Sequence, residues 1–133
     1  MKTFELTEKQ IKVIRGEICW YCGINTELKK TQYGYQYKCP YCGAYVGCHE
    51  GTKRSLGRVA NKELRAAKMS AHRAFDIIWK TGYMRRSEAY RWLGEKLSLP
   101  KEYVHIGFFG IETCKRVVYE AEKYVFGTGG DGG

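Results

Sequence analysis

The segments Cys19-Trp-Tyr-Cys22-Gly23 and Cys39-Pro-Tyr-Cys42-Gly43 decide the fold of this chain, and sixteen residues separate Cys22 from Cys39. Each segment brings two sulfurs to a common point, and the glycine after its second cysteine allows a turn with positive φ. One such pair alone could be a redox dithiol, and four cysteines could instead form disulfide bonds. Two pairs at this spacing are typical of a four-cysteine zinc site. We therefore predict one structural Zn²⁺ ion bound by Cys19, Cys22, Cys39 and Cys42.

The composition is that of a folded protein in a reducing compartment. The chain has 133 residues, among them 11 Tyr, 5 Phe and 3 Trp that can supply a modest core. Residues 1–5 contain no apolar stretch typical of a secretory signal, and no apolar run along the chain is long enough to cross a membrane. We therefore expect a cytoplasmic protein with no membrane partner, in which thiols bind metal rather than form disulfides.

The chain is strongly basic, with a formal net charge of +9. Residues 1–50 hold seven Lys and Arg against five Asp and Glu, a net charge of +2, and residues 51–133 hold the remaining +7. A basic excess of this size favours polyanionic partners such as nucleic acids. A cationic surface can also serve solubility alone.

The arrangement of motifs predicts an α+β fold, in which a small four-cysteine zinc ribbon packs on a C-terminal helical segment of about three helices. A short helix precedes the ribbon, with Thr7 as its N-cap and Gln10 at the capping-box position. The predicted parts are residues 1–50 for this helix and the ribbon, 51–126 for the helical segment, and 127–133 for a flexible glycine-rich tail. We expect the first two parts to form one compact unit.

Three helices are predicted after the ribbon. The first covers about 61–80, where apolar residues recur at helical spacing from Leu64 to Ile78. The second begins at Ser87 as its N-cap and ends at Leu97. The third covers about 112–126.

Between the two cysteine pairs, Tyr33, Tyr35 and Tyr37 alternate with smaller or polar residues. This period of two predicts a strand with the three rings on one face. The rings could stack on nucleic-acid bases. They could equally cover the metal site of a ribbon that has few other large side chains.

Further motifs follow at fixed places along the chain. They are Cys39-Pro-Tyr-Cys42-Gly-Ala-Tyr-Val-Gly-Cys-His49, Ser55-Leu-Gly57, Ala60-Asn-Lys-Glu-Leu-Arg65, Ala71-His-Arg-Ala-Phe-Asp76, Trp79, Arg86, Ala89-Tyr-Arg-Trp-Leu93, His105-Ile-Gly107 and Cys114. Over about residues 19–119 the chain resembles the zinc-finger-containing family of unknown function DUF3268, which is found in phages and bacteria. The resemblance implies a zinc ribbon joined to a helical segment, and it implies no particular reaction.

Outside the cysteine pairs, the candidate site residues are His49, His72 and Asp76. His72 and Asp76 stand four residues apart on one helix face, so the carboxylate could orient the imidazole. If His49 folds back towards this helix, the three side chains form a two-histidine, one-carboxylate cluster that could bind a second metal. The alternative is a polar network that joins ribbon and helices. The sequence leaves open the roles of Cys48, His105 and Cys114.

Basic residues and the three tyrosines form a candidate nucleic-acid-binding surface. Lys and Arg neutralise phosphates, and aromatic rings stack on bases. Basic residues gather in the loop that follows the ribbon and on the helices after it. The predicted contact residues are Lys53, Arg54, Arg58, Lys62, Arg73, Arg85, Arg86, Tyr33, Tyr35 and Tyr37.

Together these features predict a zinc-ribbon protein that binds DNA or RNA as an accessory or regulatory factor, and the resemblance adds a phage origin. A binding role is favoured over an enzymatic one. The first alternative is an adaptor that binds a host or phage protein through its aromatic ribbon face. The second is a metal-dependent nuclease that uses His49, His72 and Asp76. The sequence does not distinguish DNA from RNA, and it does not give the oligomeric state.

Overall fold

The computed structural model of the chain describes residues 6–127. The elements are four helices, α1 (Glu8–Ile14), α2 (Lys62–Lys80), α3 (Arg86–Leu97) and α4 (Ile111–Phe126), and three strands, β1 (Glu27–Thr31), β2 (Gly34–Lys38) and β3 (Tyr45–Gly47). The predicted α+β class is confirmed. Residues 128–133 of the predicted flexible tail lie outside the described residues. Between residues 6 and 127, no helix combines the length and the apolarity that a membrane span requires.

The chain divides into two compact units. The first comprises the residues up to Arg65 together with Gly107–Phe109, and the second comprises Ala66–Ile106 and the residues from Gly110 onwards. The boundary therefore falls within α2, and a short segment from far along the chain completes the first unit. The expectation that ribbon and helical segment form a single compact unit stays a prediction.

The first unit contains an antiparallel sheet in the order β1-β2-β3. In its register, Tyr35 lies opposite Lys30, and Tyr37 lies opposite both Leu28 in β1 and Val46 in β3. Directly opposite residues share a face of the sheet. The face that carries Tyr37 and Val46 is the inner one, because both pack in the small core formed with Cys19, Cys39, Ala44 and Val59.

Tyr33 lies in the turn between β1 and β2, which corrects the prediction of a strand that begins at this residue. The Thr31 hydroxyl fixes the turn, since it accepts a hydrogen bond from the Tyr33 N–H at 3.1 Å and donates to the Gly34 carbonyl at 2.8 Å. Gly34 takes a φ of 118°, which favours glycine. The three tyrosines consequently do not form one row, because Tyr33 is exposed to solvent whereas Tyr37 faces the core.

Helix α1 begins as predicted with a capping box. The Thr7 hydroxyl accepts a hydrogen bond from the Gln10 N–H at 3.1 Å, and the Gln10 side-chain oxygen accepts one from the Thr7 N–H at 2.8 Å. Two N–H groups at the helix start are thereby satisfied. The helix has seven residues, so local capping of this kind matters more for it than for a longer helix.

Gly57 and Gly107 allow two distant segments of the first unit to cross. Arg58 donates from its backbone N–H to the Gly107 carbonyl at 3.0 Å and from Nε to the Phe108 carbonyl at 2.9 Å. A Cβ atom on either glycine would overlap the backbone of the other segment. Phe109 is buried at the end of this segment.

The second unit packs the apolar sides of three helices. Its fully buried residues are Ala71, Phe75 and Ile78 on α2, Ala89 and Leu93 on α3, and Cys114, Val117 and Ala121 on α4. Phe75 lies against Tyr90, with 4.8 Å between ring centroids. Arg116 pairs with the nearly buried Glu120 at 2.7 Å and donates to the Lys96 carbonyl at 3.1 Å. These contacts connect α4 to the end of α3.

The start of α3 differs from the prediction. Its N-cap is Arg85, two residues before the predicted cap Ser87. The Glu88 carboxylate accepts a hydrogen bond from the Arg85 N–H at 2.9 Å, so the acidic residue of the first turn decides where the helix begins.

Candidate metal centre

The two cysteine pairs form knuckles with the same hydrogen-bond pattern. In the first, the Cys19 N–H donates to the Ile24 carbonyl and the Gly23 N–H donates to the Cys19 carbonyl, both at 2.8 Å. In the second, the Cys39 N–H donates to the Ala44 carbonyl at 2.8 Å and the Gly43 N–H donates to the Cys39 carbonyl at 3.0 Å. The glycines take φ values of 73° and 82°, as the C-x-x-C-G spacing predicts.

The knuckles bring four sulfur atoms to one point. The sulfurs of Cys19, Cys22, Cys39 and Cys42 all lie within 4.8 Å of one another. The Cys19 and Cys42 sulfurs are 3.6 Å apart, close to the separation of about 3.8 Å that follows from tetrahedral geometry with Zn–S bonds of about 2.3 Å. That distance is far longer than a disulfide bond of about 2.05 Å, and the four residues are reduced thiols. The four side chains fit one zinc ion.

The site lies at the edge of the first unit's core. Cys19 and Cys39 are fully buried, Cys22 is half-buried and Cys42 is exposed. The two buried sulfurs belong to the same apolar cluster as Val46 and Val59. The first unit has only a small hydrophobic core. A metal ion bound by the four sulfurs would add the stability that this core cannot supply, which is the role of a structural zinc site.

The electrostatics of the sulfur cluster call for a cation. Burial raises the pKa of Cys19, and desolvation together with hydrogen bonds to the neighbouring thiols raises the pKa of Cys22 to about 12. Burial alone would raise the pKa of Cys39, but the backbone N–H groups of Cys42 and Tyr41, together with hydrogen bonds from the Cys19 and Cys42 thiols, outweigh it and lower this pKa to about 7. The Cys42 N–H lies 3.5 Å from the Cys39 sulfur. The chain alone therefore favours a thiolate at Cys39, and a bound Zn²⁺ would offset the repulsion between four thiolates.

His49 belongs to the first unit and His72 and Asp76 belong to the second, so the second metal site predicted from these three residues stays a prediction. Metal binding needs at least three ligand-type side chains close together. Between residues 6 and 127, the four cysteines form such a group. His49 is exposed in the loop after β3. His72 is exposed on α2, where its Nδ1 lies 3.0 Å from the Lys68 carbonyl.

Asp76 has other partners than His72. Its Oδ1 accepts a hydrogen bond from Trp79 Nε1 at 3.1 Å, and its Oδ2 lies 3.8 Å from Lys80 Nζ. The predicted hydrogen bond between His72 and Asp76 is therefore wrong. Trp79 and Lys80 lie three and four residues further along the helix, and they compete successfully for the carboxylate.

The two remaining cysteines lie outside the metal centre. Cys48 is half-buried, burial raises its pKa, and its backbone pairs with Ser55. Cys114 is buried on the apolar side of α4. His105 is exposed in the segment before the Ile106–Phe108 turn.

The predicted nucleic-acid contacts of the first unit have different surroundings. Tyr33 is 91% exposed at the tip of the β1–β2 hairpin. Lys53 Nζ lies 5.4 Å from the centre of the Tyr35 ring, and Arg54 and Lys62 are exposed. Arg58 is different, because its guanidinium binds the Phe108 carbonyl and lies 5.2 Å from the centre of the Trp20 ring.

The aromatic residues inside the knuckles are not among the surface residues predicted from the sequence. Trp20 is 56% exposed and Tyr41 is 84% exposed, although each stands between two zinc ligands. Arg65 is also absent from that set, and its guanidinium lies 4.4 Å from the centre of the Tyr45 ring. The signal for Trp20 and Tyr41 was present, since the two inner positions of a C-x-x-C turn carry side chains that need not point at the metal.

Three of the predicted nucleic-acid contacts belong to the second unit. Arg73 is exposed on α2 and Arg85 is exposed at the start of α3. Arg86 lies between two rings, 5.2 Å from the centre of Trp79 and 5.0 Å from that of Tyr90.

Comparison with known proteins agrees with this geometry. A family model described as the zinc-finger-containing domain DUF3268 matches residues 15–124. No curated protein and no solved structure matches the chain. The matched segment includes both knuckles, the sheet and nearly all of the helices that follow. The chain therefore belongs to the zinc-finger-containing family DUF3268.

Proposed function

We propose that this zinc-binding protein binds single-stranded nucleic acid through the exposed aromatic and basic residues of its first unit. The observation that carries the proposal is the position of Tyr33, which is 91% exposed at a hairpin tip whose strands carry lysines. A solvent-exposed ring beside cations is the arrangement that stacks on a base while the cations neutralise the adjoining phosphates.

The charge of the first unit supports this proposal. Of the net charge of +9, the first unit carries +6, since it holds twelve Lys and Arg against six Asp and Glu. The positive charge is therefore concentrated on the unit that also bears the zinc ligands, whereas a division of the sequence at residue 50 places most of it after the ribbon. A small unit of this charge attracts a phosphate backbone over a Debye length of about 10 Å at moderate salt.

Two further aromatic rings on this unit, Trp20 and Tyr41, extend from the knuckles and are exposed. Tyr35 on β2 is half-buried, and Lys53 Nζ lies 5.4 Å from the centre of its ring. Lys30 lies opposite Tyr35 in the sheet register. Aromatic rings exposed on a monomer mark a binding surface more often than scattered aliphatic residues do.

Zinc has an indirect role in this proposal. Tyr41 lies between the ligands Cys39 and Cys42, and Tyr33 lies in the hairpin that connects the two knuckles. The positions of both rings therefore depend on a folded ribbon. The metal stabilises the surface and takes no part in the contact itself.

The test is a titration of the zinc-loaded protein with fluorescently labelled DNA and RNA single strands of the same sequence, followed by anisotropy at several salt concentrations. We expect log affinity to fall linearly with log salt, with a slope of about −0.7 for each phosphate neutralised. The double variant Lys53→Ala/Arg54→Ala should bind more weakly and give a flatter slope. Its charge-matched control is Lys115→Ala/Lys123→Ala on α4, where both lysines are exposed.

Two results would overturn the proposal. One is the absence of binding at low salt. The other is an equal loss in both double variants, which would mean that only total charge matters. Either result favours the protein-binding adaptor, for which the same exposed rings would form the interface.

A further inference from the structure

The second unit contains a cleft that none of the proposed nucleic-acid contacts of the first unit uses. Its volume is 850 Å³, and one wall is the side of α3 that includes Arg86, Tyr90, Arg91 and Glu95. The other wall is the segment from Leu99 to His105. The volume lies in the range of about 300–1,000 Å³ that is usual for small-molecule sites.

The second wall is fixed closely against the helix. Gly94 is buried, and a Cβ atom there would lie 3.0 Å from Val104 Cγ2 and 3.2 Å from the Leu99 carbonyl oxygen. Val104 is itself 4% exposed, and the Leu99 N–H donates to the Gly94 carbonyl at 2.9 Å. The missing side chain at Gly94 lets the segment approach, so the cleft is formed in the folded chain without a ligand.

Charged side chains line this cleft without neutralising one another. Arg86, Arg91 and Lys101 line the cleft together with Glu95 and Glu102, and across the described part of the chain no salt bridge joins any of the five to a partner. The sum of their charges is +1, which suits a ligand with one phosphate better than one with three. The carboxylates can accept hydrogen bonds from N–H groups of the same ligand.

Arg86 is held in place for an anion. Its guanidinium lies between the Trp79 and Tyr90 rings, at 5.2 Å and 5.0 Å from their centres, and Nη2 donates to the Tyr90 hydroxyl at 3.4 Å. A guanidinium has five N–H donors, so most of its capacity is available for two parallel hydrogen bonds to a phosphate. Because the rings restrict the side chain beforehand, little rotational freedom is lost on binding.

We propose that this cleft binds the monophosphate group of a nucleotide, with Arg86 and Arg91 on the phosphate and the half-buried Leu99 side chain against the base. Such a group occurs in a free nucleoside monophosphate and at the 5′ end of a nucleic-acid strand. The proposal concerns the second unit and does not rest on the nucleic-acid contacts proposed for the first.

Isothermal titration calorimetry of the full zinc-loaded chain tests the proposal, with adenosine monophosphate, adenosine, inorganic phosphate and adenosine triphosphate as probes. We expect the monophosphate to bind at least about tenfold more tightly than the nucleoside or phosphate alone, and more tightly than the triphosphate. Arg86→Gln and Arg91→Gln should each weaken it by about tenfold, and Lys115→Gln on α4 should not. Tyr33→Ala should also leave it unchanged, which separates this site from the surface proposed above.

A second arm distinguishes the two sources of the phosphate. A 5′-phosphorylated oligonucleotide that binds more tightly than its 5′-hydroxyl counterpart, with the difference lost in Arg91→Gln, identifies a strand end as the ligand. Equal binding of the two oligonucleotides, with monophosphate binding intact, identifies the free nucleotide. Both arginines are exposed, but Arg86 also contacts the Trp79 and Tyr90 rings, so Arg91→Gln should remain folded even if Arg86→Gln does not. Absence of monophosphate binding at millimolar concentration, tighter binding of the triphosphate, or full binding by folded Arg91→Gln would overturn the proposal.

Discussion

The sulfur atoms of Cys19 and Cys42 lie 3.6 Å apart, although the two residues are 23 positions apart in the chain. Cys19 begins the first knuckle and Cys42 ends the second. The hairpin of β1 and β2 lies between the knuckles, so this contact exists only when the hairpin is folded. We therefore expect metal binding and folding of the first unit to be coupled.

The first prediction follows from this coupling. The purified protein should contain one zinc ion per chain, and Cys39→Ser should lose the metal and unfold the first unit, because Cys39 is both a ligand and a fully buried core residue. Metal analysis and circular dichroism measure the two effects. Cys48→Ser is the matched control, because Cys48 is half-buried but lies outside the sulfur cluster, and it should keep the metal. A folded Cys39→Ser protein with full metal content would contradict four-cysteine ligation.

Zinc affinity should fall as the pH falls. Without metal, the pKa of Cys22 is raised to about 12, so this group holds its proton throughout the neutral range, and Zn²⁺ must displace that proton to bind. Each proton released on binding costs about tenfold in affinity for every unit by which the pH is lowered. Competition with a chelator of known affinity at about pH 6 and about pH 8 measures the slope. An affinity independent of pH would exclude thiol ligands.

The metal centre and the start of α1 were predictable because they depend on local spacing. A C-x-x-C-G turn determines its own backbone, and a capping box needs only Thr7 and Gln10. The turn at Tyr33 was not predictable from the alternation of tyrosines. A period of two gives the face of a strand but not its end, which here depends on the hydroxyl of Thr31 and the conformation of Gly34.

Long-range contacts were beyond the sequence for a related reason. The hydrogen bond from Arg58 to Phe108 joins residues 50 positions apart, and no local sequence pattern predicts it. Likewise, His72 and Asp76 have the spacing of a helical pair, but spacing does not reveal which of several neighbours a side chain selects. Asp76 has Trp79 and Lys80 within one turn and binds both.

The crossing of Gly57 and Gly107 gives a stability prediction. Gly107→Ala should lower the free energy of unfolding by about 1–3 kcal/mol or more, because its Cβ would overlap the Leu56 carbonyl and force the two segments apart. Gly47→Ala is the control, since the nearest atom to its Cβ is a Leu56 side-chain carbon at 3.9 Å. Urea denaturation compares the two variants. Equal stability of both would show that the segments are not held as closely as described.

The separate partners of His72 and Asp76 predict unequal effects. His72→Ala should change the free energy of unfolding by no more than about 0.5 kcal/mol, because the imidazole is exposed and alanine favours the helix. Asp76→Ala should cost about 1 kcal/mol, because the indole N–H of the half-buried Trp79 loses its acceptor. Thermal unfolding measures both. A large loss in His72→Ala alone would restore the paired interpretation of these residues.

Substitutions at Tyr33 and at Tyr37 should have opposite effects, one on nucleic-acid binding and the other on stability. Tyr33→Ala removes a ring that is 91% exposed, so it should leave the unfolding transition unchanged and weaken single-strand binding by roughly 1–3 kcal/mol if the ring stacks on a base. Tyr37→Phe keeps the ring in the core but removes the hydrogen bond from its hydroxyl to the Lys53 carbonyl at 2.8 Å. That variant should lose about 1 kcal/mol of stability and bind nucleic acid as tightly as the natural chain, provided that the Lys53 loop keeps its position. Anisotropy and thermal unfolding on both variants give the four values. If Tyr33→Ala binds normally while Tyr37→Phe does not, the contact surface lies on the loop that carries Lys53 rather than at the hairpin tip.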